Sequence, residues 1–156
     1  MFVGFSVIIV STTASVAIIT LRNRVSEHAS NLFQQYVLNP PPPSVAKIQV
    51  DTTAAIFGYG YVFHFRIDED DLELILKSRP FVKTSTIEYT VTGFLKWETG
   101  SASRVMMQLY AGGQRKPRWF TPQTMNSPEA YVSTKGDTRI LIFDSQVGEA
   151  YLVISK

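Results

Sequence analysis

Three groups of side chains have types and spacings that could do chemistry. The first, Arg115-Lys116-Pro117-Arg118-Trp119-Phe120, sets three positive charges beside two aromatic rings just after Gly112-Gly113. Such a loop could grip a phosphate-bearing partner by ion pairing plus stacking, or put its tryptophan into an anionic lipid interface. The same composition also describes a surface loop pinned by Trp119 packing on the sheet, its cations solvated. The second group is the acidic run Asp68-Glu69-Asp70-Asp71 with Glu73. Asp68, Asp70 and Asp71 offer the carboxylate oxygens that Ca²⁺ or Mg²⁺ prefer, yet no EF-hand loop with its glycine is present. Helix capping is the simpler account, because first-turn carboxylates favour the positive end of the helix dipole and diverge around the axis. The third group is His64 with Arg66, on one face of a strand. Proton transfer there needs a nucleophile or a substrate pocket that no motif announces, so a histidine satisfied by a local carboxylate is the plainer reading.

Composition narrows the chemistry further. The chain has 156 residues and no cysteine, which removes disulfide scaffolds, thiolate zinc sites, iron–sulfur clusters and cysteine nucleophiles. His28 and His64 are the only imidazoles, and His28 falls on the polar side of a helical stretch. There is no G-x-S-x-G, P-loop or H-E-x-x-H, and Gly58-x-Gly60 lacks the third glycine of a dinucleotide fingerprint, so it reads as a turn. No cofactor, no metal and no catalytic residue are expected.

The elements that must position these groups begin with an uncharged segment, Phe2 to Leu21. At ~1.5 Å per residue a helix of that length spans ~30 Å, the thickness of a bilayer's hydrocarbon core. Residues 1–24 therefore read as a single transmembrane anchor with a basic flank, in contact with membrane lipid through residues 2–21. A cleaved signal peptide is the rival, but it lacks a basic leader. Arg22 and Arg24 follow the span and by the positive-inside rule place the rest of the chain in the cytoplasm. Residues 25–43 form an amphipathic stalk and a spacer: Val25, Ala29, Leu32, Phe33, Tyr36 and Val37 fall at helical spacing. Asn39-Pro40-Pro41-Pro42-Pro43 then ends the helix. The stalk could pack on its own domain, lie on the membrane surface, or pair with a protein partner or a second copy.

Residues 44–156 are the expected folded unit. Setting aside Arg22, Arg24 and Glu27 leaves 13 basic and 12 acidic residues of the 15 and 13 in the whole chain. That near-neutral balance is far from the positive field of a general nucleic-acid binder. Ala46 to Thr52 alternates as a half-buried strand, and Tyr61, Phe63, Phe65 and Ile67 form one face of a second strand, opposite Val62, His64 and Arg66. The period changes at Asp68, an expected N-cap, and the helix closes at Arg79-Pro80. Thr86 to Glu98 reads as one long strand with a bulge at Gly93. Residues 104–111 suit either a strand or a short helix. Thr138 to Phe143 and Glu149 to Ser155 flank Asp144-Ser145-Gln146-Val147-Gly148 as a terminal hairpin. The fold class is α+β, an antiparallel sheet carrying one principal helix, preceded by the transmembrane helix and the stalk.

A set of short motifs in this order resembles a group of small bacterial membrane-anchored proteins with a C-terminal α+β domain. The motifs are Ser44-Val45-Ala46-Lys47-Ile48, Val62-Phe63-His64-Phe65-Arg66 leading into Asp68-Glu69-Asp70-Asp71-Leu72, Pro117-Arg118-Trp119-Phe120-Thr121-Pro122, Tyr131, and Gly148-Glu149-Ala150-Tyr151. The resemblance covers most of residues 40–156 and implies a domain outside the cytoplasmic membrane. It carries no established activity and hence no catalytic residue. The expected function is a non-enzymatic, membrane-tethered interaction or assembly module. Anionic lipid or nucleic-acid binding by the 115–120 loop is one rival, and a small enzyme using His64 is the other.

Overall fold

The computed structural model describes residues 26–52, 60–84, 87–91, 95–100, 116–133 and 135–155. A first helix, α1, covers residues 26–36. It is followed by β1 (Ala46–Asp51), β2 (Gly60–Arg66), α2 (Glu69–Ser78), β3 (Val82–Thr84), β4 (Ile87–Val91), β5 (Leu95–Gly100), a 3₁₀ turn (Pro122–Thr124), β6 (Glu129–Ser133), β7 (Thr138–Asp144) and β8 (Glu149–Ser155). Six strands form one antiparallel sheet in the order β1-β2-β8-β7-β6-β3, while β4 and β5 pair separately. The α+β class holds.

Alternation along the strands decides what each face of the sheet buries. On one face, Phe63 and Phe65 of β2, Leu141 and Phe143 of β7, and Ala150, Leu152 and Ile154 of β8 pack with Phe33 and Val37 of the α1 segment and Leu72 and Ile75 of α2. The opposite face gathers Val62, Ile140, Ile142, Tyr151 and Val153, covered by Phe120 and Met125 from the loop around the 3₁₀ turn. Burial on both faces explains why β7 and β8 read as nearly unbroken apolar runs.

Two expectations are corrected here. The sheet carries two helices rather than one principal helix. Of the three roles open to the stalk, packing on its own domain is the one observed. Ala29, Phe33 and Val37, one turn apart, are buried, and the Phe33 ring meets Phe63 and Phe65 edge-on at 5.9 and 5.0 Å. The proline run therefore joins α1 to β1 within one core. The long strand expected over 86–98 is instead the pair β4–β5, with Val91 opposite Leu95. Hydrophobic alternation alone does not separate a bulged strand from two strands paired with each other.

Other local signals act as read. Asp68 occupies the N-cap of α2, although its side chain makes no capping bond. Instead Ser44 ties the two segments together: its Oγ accepts the Asp68 N–H at 3.0 Å and its own N–H donates to Asp71 Oδ2 at 2.8 Å. The β7–β8 turn closes with the Gly148 N–H donating to the Asp144 carbonyl at 2.9 Å, Gly148 taking a left-handed φ of 63°. Among the described residues no helix is long and apolar enough to cross a membrane. The expected span at 2–21 lies outside them, as do Gly58, residues 104–111 and Arg115.

Candidate functional site

The register of three neighbouring strands builds a polar cluster around His64. In the middle strand β2, His64 lies opposite Gln49 of β1 on one side and Tyr151 of β8 on the other, and Arg66 lies opposite Glu149. His64 Nδ1 is 2.9 Å from Gln49 Oε1. An amide oxygen can only accept, so Nδ1 carries the hydrogen and Nε2 presents its lone pair. That lone pair faces Glu149 Oε2 at 3.6 Å, and Nε2 is buried without a hydrogen-bond partner. The other carboxylate oxygen, Oε1, accepts from Arg66 Nη2 at 3.4 Å. Burial of the ring pushes His64 below the ordinary histidine value, outweighing the upward pull of Glu149. The imidazole is therefore neutral near pH 7, with a carboxylate oxygen 3.6 Å from its Nε2.

Stacked rings fix the histidine and tie the 115–120 loop to it. The Tyr151 ring lies 4.5 Å from His64 at an interplanar angle of 16°, and Trp119 lies 6.0 Å away at 11°. Tyr151 Oη donates to the Trp119 carbonyl at 3.1 Å and accepts the Thr121 N–H at 3.2 Å, so one phenol latches the loop onto the sheet. Of the loop residues singled out in the sequence, Phe120 is fully buried and packs edge-on against Tyr151 at 5.5 Å. Trp119 is half-buried, and Lys116 and Arg118 are exposed. Phe120 and Tyr151 do the anchoring that the sequence reading gave to Trp119. His64 and this loop, far apart in sequence, meet through Trp119.

Beside the cluster opens a recess of about 550 Å³, lined by Lys47, Ile48 and Gln49 of β1, His64 and Arg66 of β2, and Glu149 of β8, with Ser26 at the start of α1. That volume falls within the ~300–1,000 Å³ usual for small-ligand sites. Lys47 sits where the β1–β2 register shifts and takes a positive φ of 53°, a conformation that disfavours a side chain with a Cβ. It makes no ion pair among the described residues. The recess thus combines two basic side chains, one carboxylate and a histidine whose Nε2 is buried. It can receive a ligand carrying both an anionic group and a hydrogen-bond donor.

The acidic run does not converge. Asp71 is held below the usual carboxylate range by its hydrogen bonds from Ser44, and among the described residues no group of three or more His, Asp or Glu could hold a metal ion. The carboxylate beside His64 is Glu149, across the strand pair, and not a member of that run. Gln49, Lys47, Glu149 and Tyr151 went unnoticed as site residues because only the β1–β2–β8 pairing brings them together. No family model matches the chain, and neither a curated protein nor a solved structure matches it significantly.

Proposed function

We propose that the chain is a membrane-tethered, non-catalytic binding module, anchored once through residues 2–21, whose ligand enters the recess between β1, β2 and β8. The observation that carries the reading is the set of partners on the His64 ring: an amide oxygen at 2.9 Å and a carboxylate at 3.6 Å, neither of them a hydroxyl or thiol for the imidazole to activate. Stacked rings and an adjoining open recess suit recognition rather than proton shuttling. The resemblance favours the outer side of the cytoplasmic membrane, and Arg22 and Arg24 favour the inner; the recess reading is the same on either side. The test is a turnover screen of the full chain against ester, phosphoester and glycoside substrates. No His64-dependent turnover is expected, and activity lost in His64→Ala would overturn the proposal.

A second reading is favoured by Lys116 and Arg118, which are exposed and make no ion pair among the described residues. They would rest the 116–120 loop on an anionic bilayer, adding affinity at low salt. Co-sedimentation with anionic vesicles that is insensitive to charge reversal at both positions removes this reading. The near-neutral domain supports no nucleic-acid partner.

A further inference from the structure

We propose that the recess binds a phosphoethanolamine group, the head of an aminophospholipid, with its ammonium between His64 and Glu149 and its phosphate on Lys47 and Arg66. The proposal rests on the tether and on the recess as binding site, and it names the ligand. Three observations carry it.

The first is the pair of acceptors. His64 Nε2 is buried and without a hydrogen-bond partner, Glu149 Oε2 lies 3.6 Å from it, and the Arg66 contact uses the other carboxylate oxygen, Oε1. A buried acceptor beside a part-exposed carboxylate oxygen suits a donor with several N–H groups, which a primary ammonium has and a quaternary one lacks. The second is the pair of cations. Lys47 is exposed and makes no ion pair among the described residues, and Arg66 is half exposed with a single contact to Glu149, so both have donors left for a phosphate. The third is position. Ser26 lines the recess, and only Arg22 to Val25 separate it from the end of the uncharged segment. Even fully extended, the chain from Leu21 to Ser26 reaches at most ~17 Å, and the headgroup layer adds ~5–8 Å beyond the hydrocarbon on each side. The recess is thus held within reach of lipid head groups.

The test uses the full chain in phosphatidylcholine nanodiscs, with the ring resonances of His64 followed by NMR while soluble O-phosphoethanolamine is added; His28 is the only other imidazole. Saturable movement of the His64 signals is expected, about tenfold or more weaker with O-phosphocholine, in Glu149→Gln and in Lys47→Asn, an exchange that suits the positive φ. Equal binding of phosphocholine, or binding unaltered in both variants, overturns the proposal. Thermal unfolding establishes that each variant folds; should Glu149→Gln fail to, Lys47→Asn decides. Nanodiscs of phosphatidylethanolamine distinguish the source. If the lipid is the ligand, His64 already shows its bound position and the soluble compound moves it no further. An unoccupied recess there overturns the lipid source. Alkaline extraction of membranes tests the tether separately: a chain that washes off yet binds phosphoethanolamine defeats the tether and leaves the ligand assignment standing.

Discussion

Replacing Phe33 by alanine tests whether the helix that follows the uncharged N-terminal segment belongs to the domain core. Phe33 is 0% exposed, with edge-on contacts to Phe63 and Phe65 at 5.9 and 5.0 Å. A buried Phe→Ala change costs ~3–5 kcal/mol. Each aromatic pair contributes a further ~0.5–1.5 kcal/mol beyond the area it buries, which places this site in the upper part of that range, at ~4–5 kcal/mol. A domain of this size loses ~3 °C per kcal/mol, so Phe33→Ala should lower Tm by ~12–15 °C. The assay is thermal unfolding of the full chain in detergent micelles, followed by circular dichroism. Gln34→Ala, an exposed position on the same helix, is the control and should stay within ~0.5 kcal/mol of the parent. A Phe33→Ala loss below ~1 kcal/mol would detach α1 from the core and take Ser26 away from the recess.

Three further outcomes are expected. Gly148→Ala forces a side chain into a left-handed φ of 63° and brings its Cβ to 3.3 Å from the Ile67 carbonyl oxygen; it should cost ~1–2 kcal/mol, measured by urea unfolding, and a neutral result would contradict the turn. Asp137→Asn leaves Arg139, 2% exposed and 2.9 Å from Asp137, as a buried cation without its carboxylate. A loss of ~3–5 kcal/mol is expected, and a loss under ~1 kcal/mol would mean that Arg139 reaches solvent. Stability should also depend on pH through His64. Its folded-state value lies below the ordinary ~6.5 because burial disfavours the charged ring. The unfolded chain therefore takes up the proton first, so stability is flat above about pH 6.5 and declines as pH falls through the depressed value. Asp137 and Glu129, whose values are lowered, the first by Arg139 and Arg79 against its own burial and the second mainly by Lys83, lose stability only further down, near ~4. Tm measured between pH 7 and 5 should slope in the parent and flatten in His64→Phe; equal slopes would remove the assignment.

Much of this fold is legible where information is local. The alternation of Tyr61, Phe63 and Phe65 against Val62, His64 and Arg66 reports the two faces of β2, the Asp144 to Gly148 turn reports the hairpin, and Arg79-Pro80 marks the end of α2. The stripe Ala29, Phe33, Val37 announces a helix with one buried face, but the same stripe would serve a membrane surface or a second copy, and only the packing on Phe63 and Phe65 selects among them. β3 has three residues, and β6 buries only Ala130 and Ser133, three apart and so out of step with a strand's period of two, and too small or too polar to mark a face before pairing does. The site is less legible still. His64 and Arg66 stand out as residue types, but their carboxylate lies on β8, which reaches them because the last strand inserts between β2 and β7. That placement is a long-range pairing, and no spacing along the chain encodes it.

The position of the recess relative to the bilayer is the most direct test. The chain has no cysteine, so single nitroxide labels can be placed at Lys47→Cys, beside the recess, and at Val82→Cys, 67% exposed on β3. These strands are the two edges of the six-stranded sheet, about 24 Å apart at ~4.8 Å per strand. In vesicles containing a nickel-chelating lipid, the proposed tether predicts that the label at 47 relaxes strongly and the label at 82 weakly. Equal relaxation at the two positions, or stronger relaxation at 82, would contradict a membrane-facing recess.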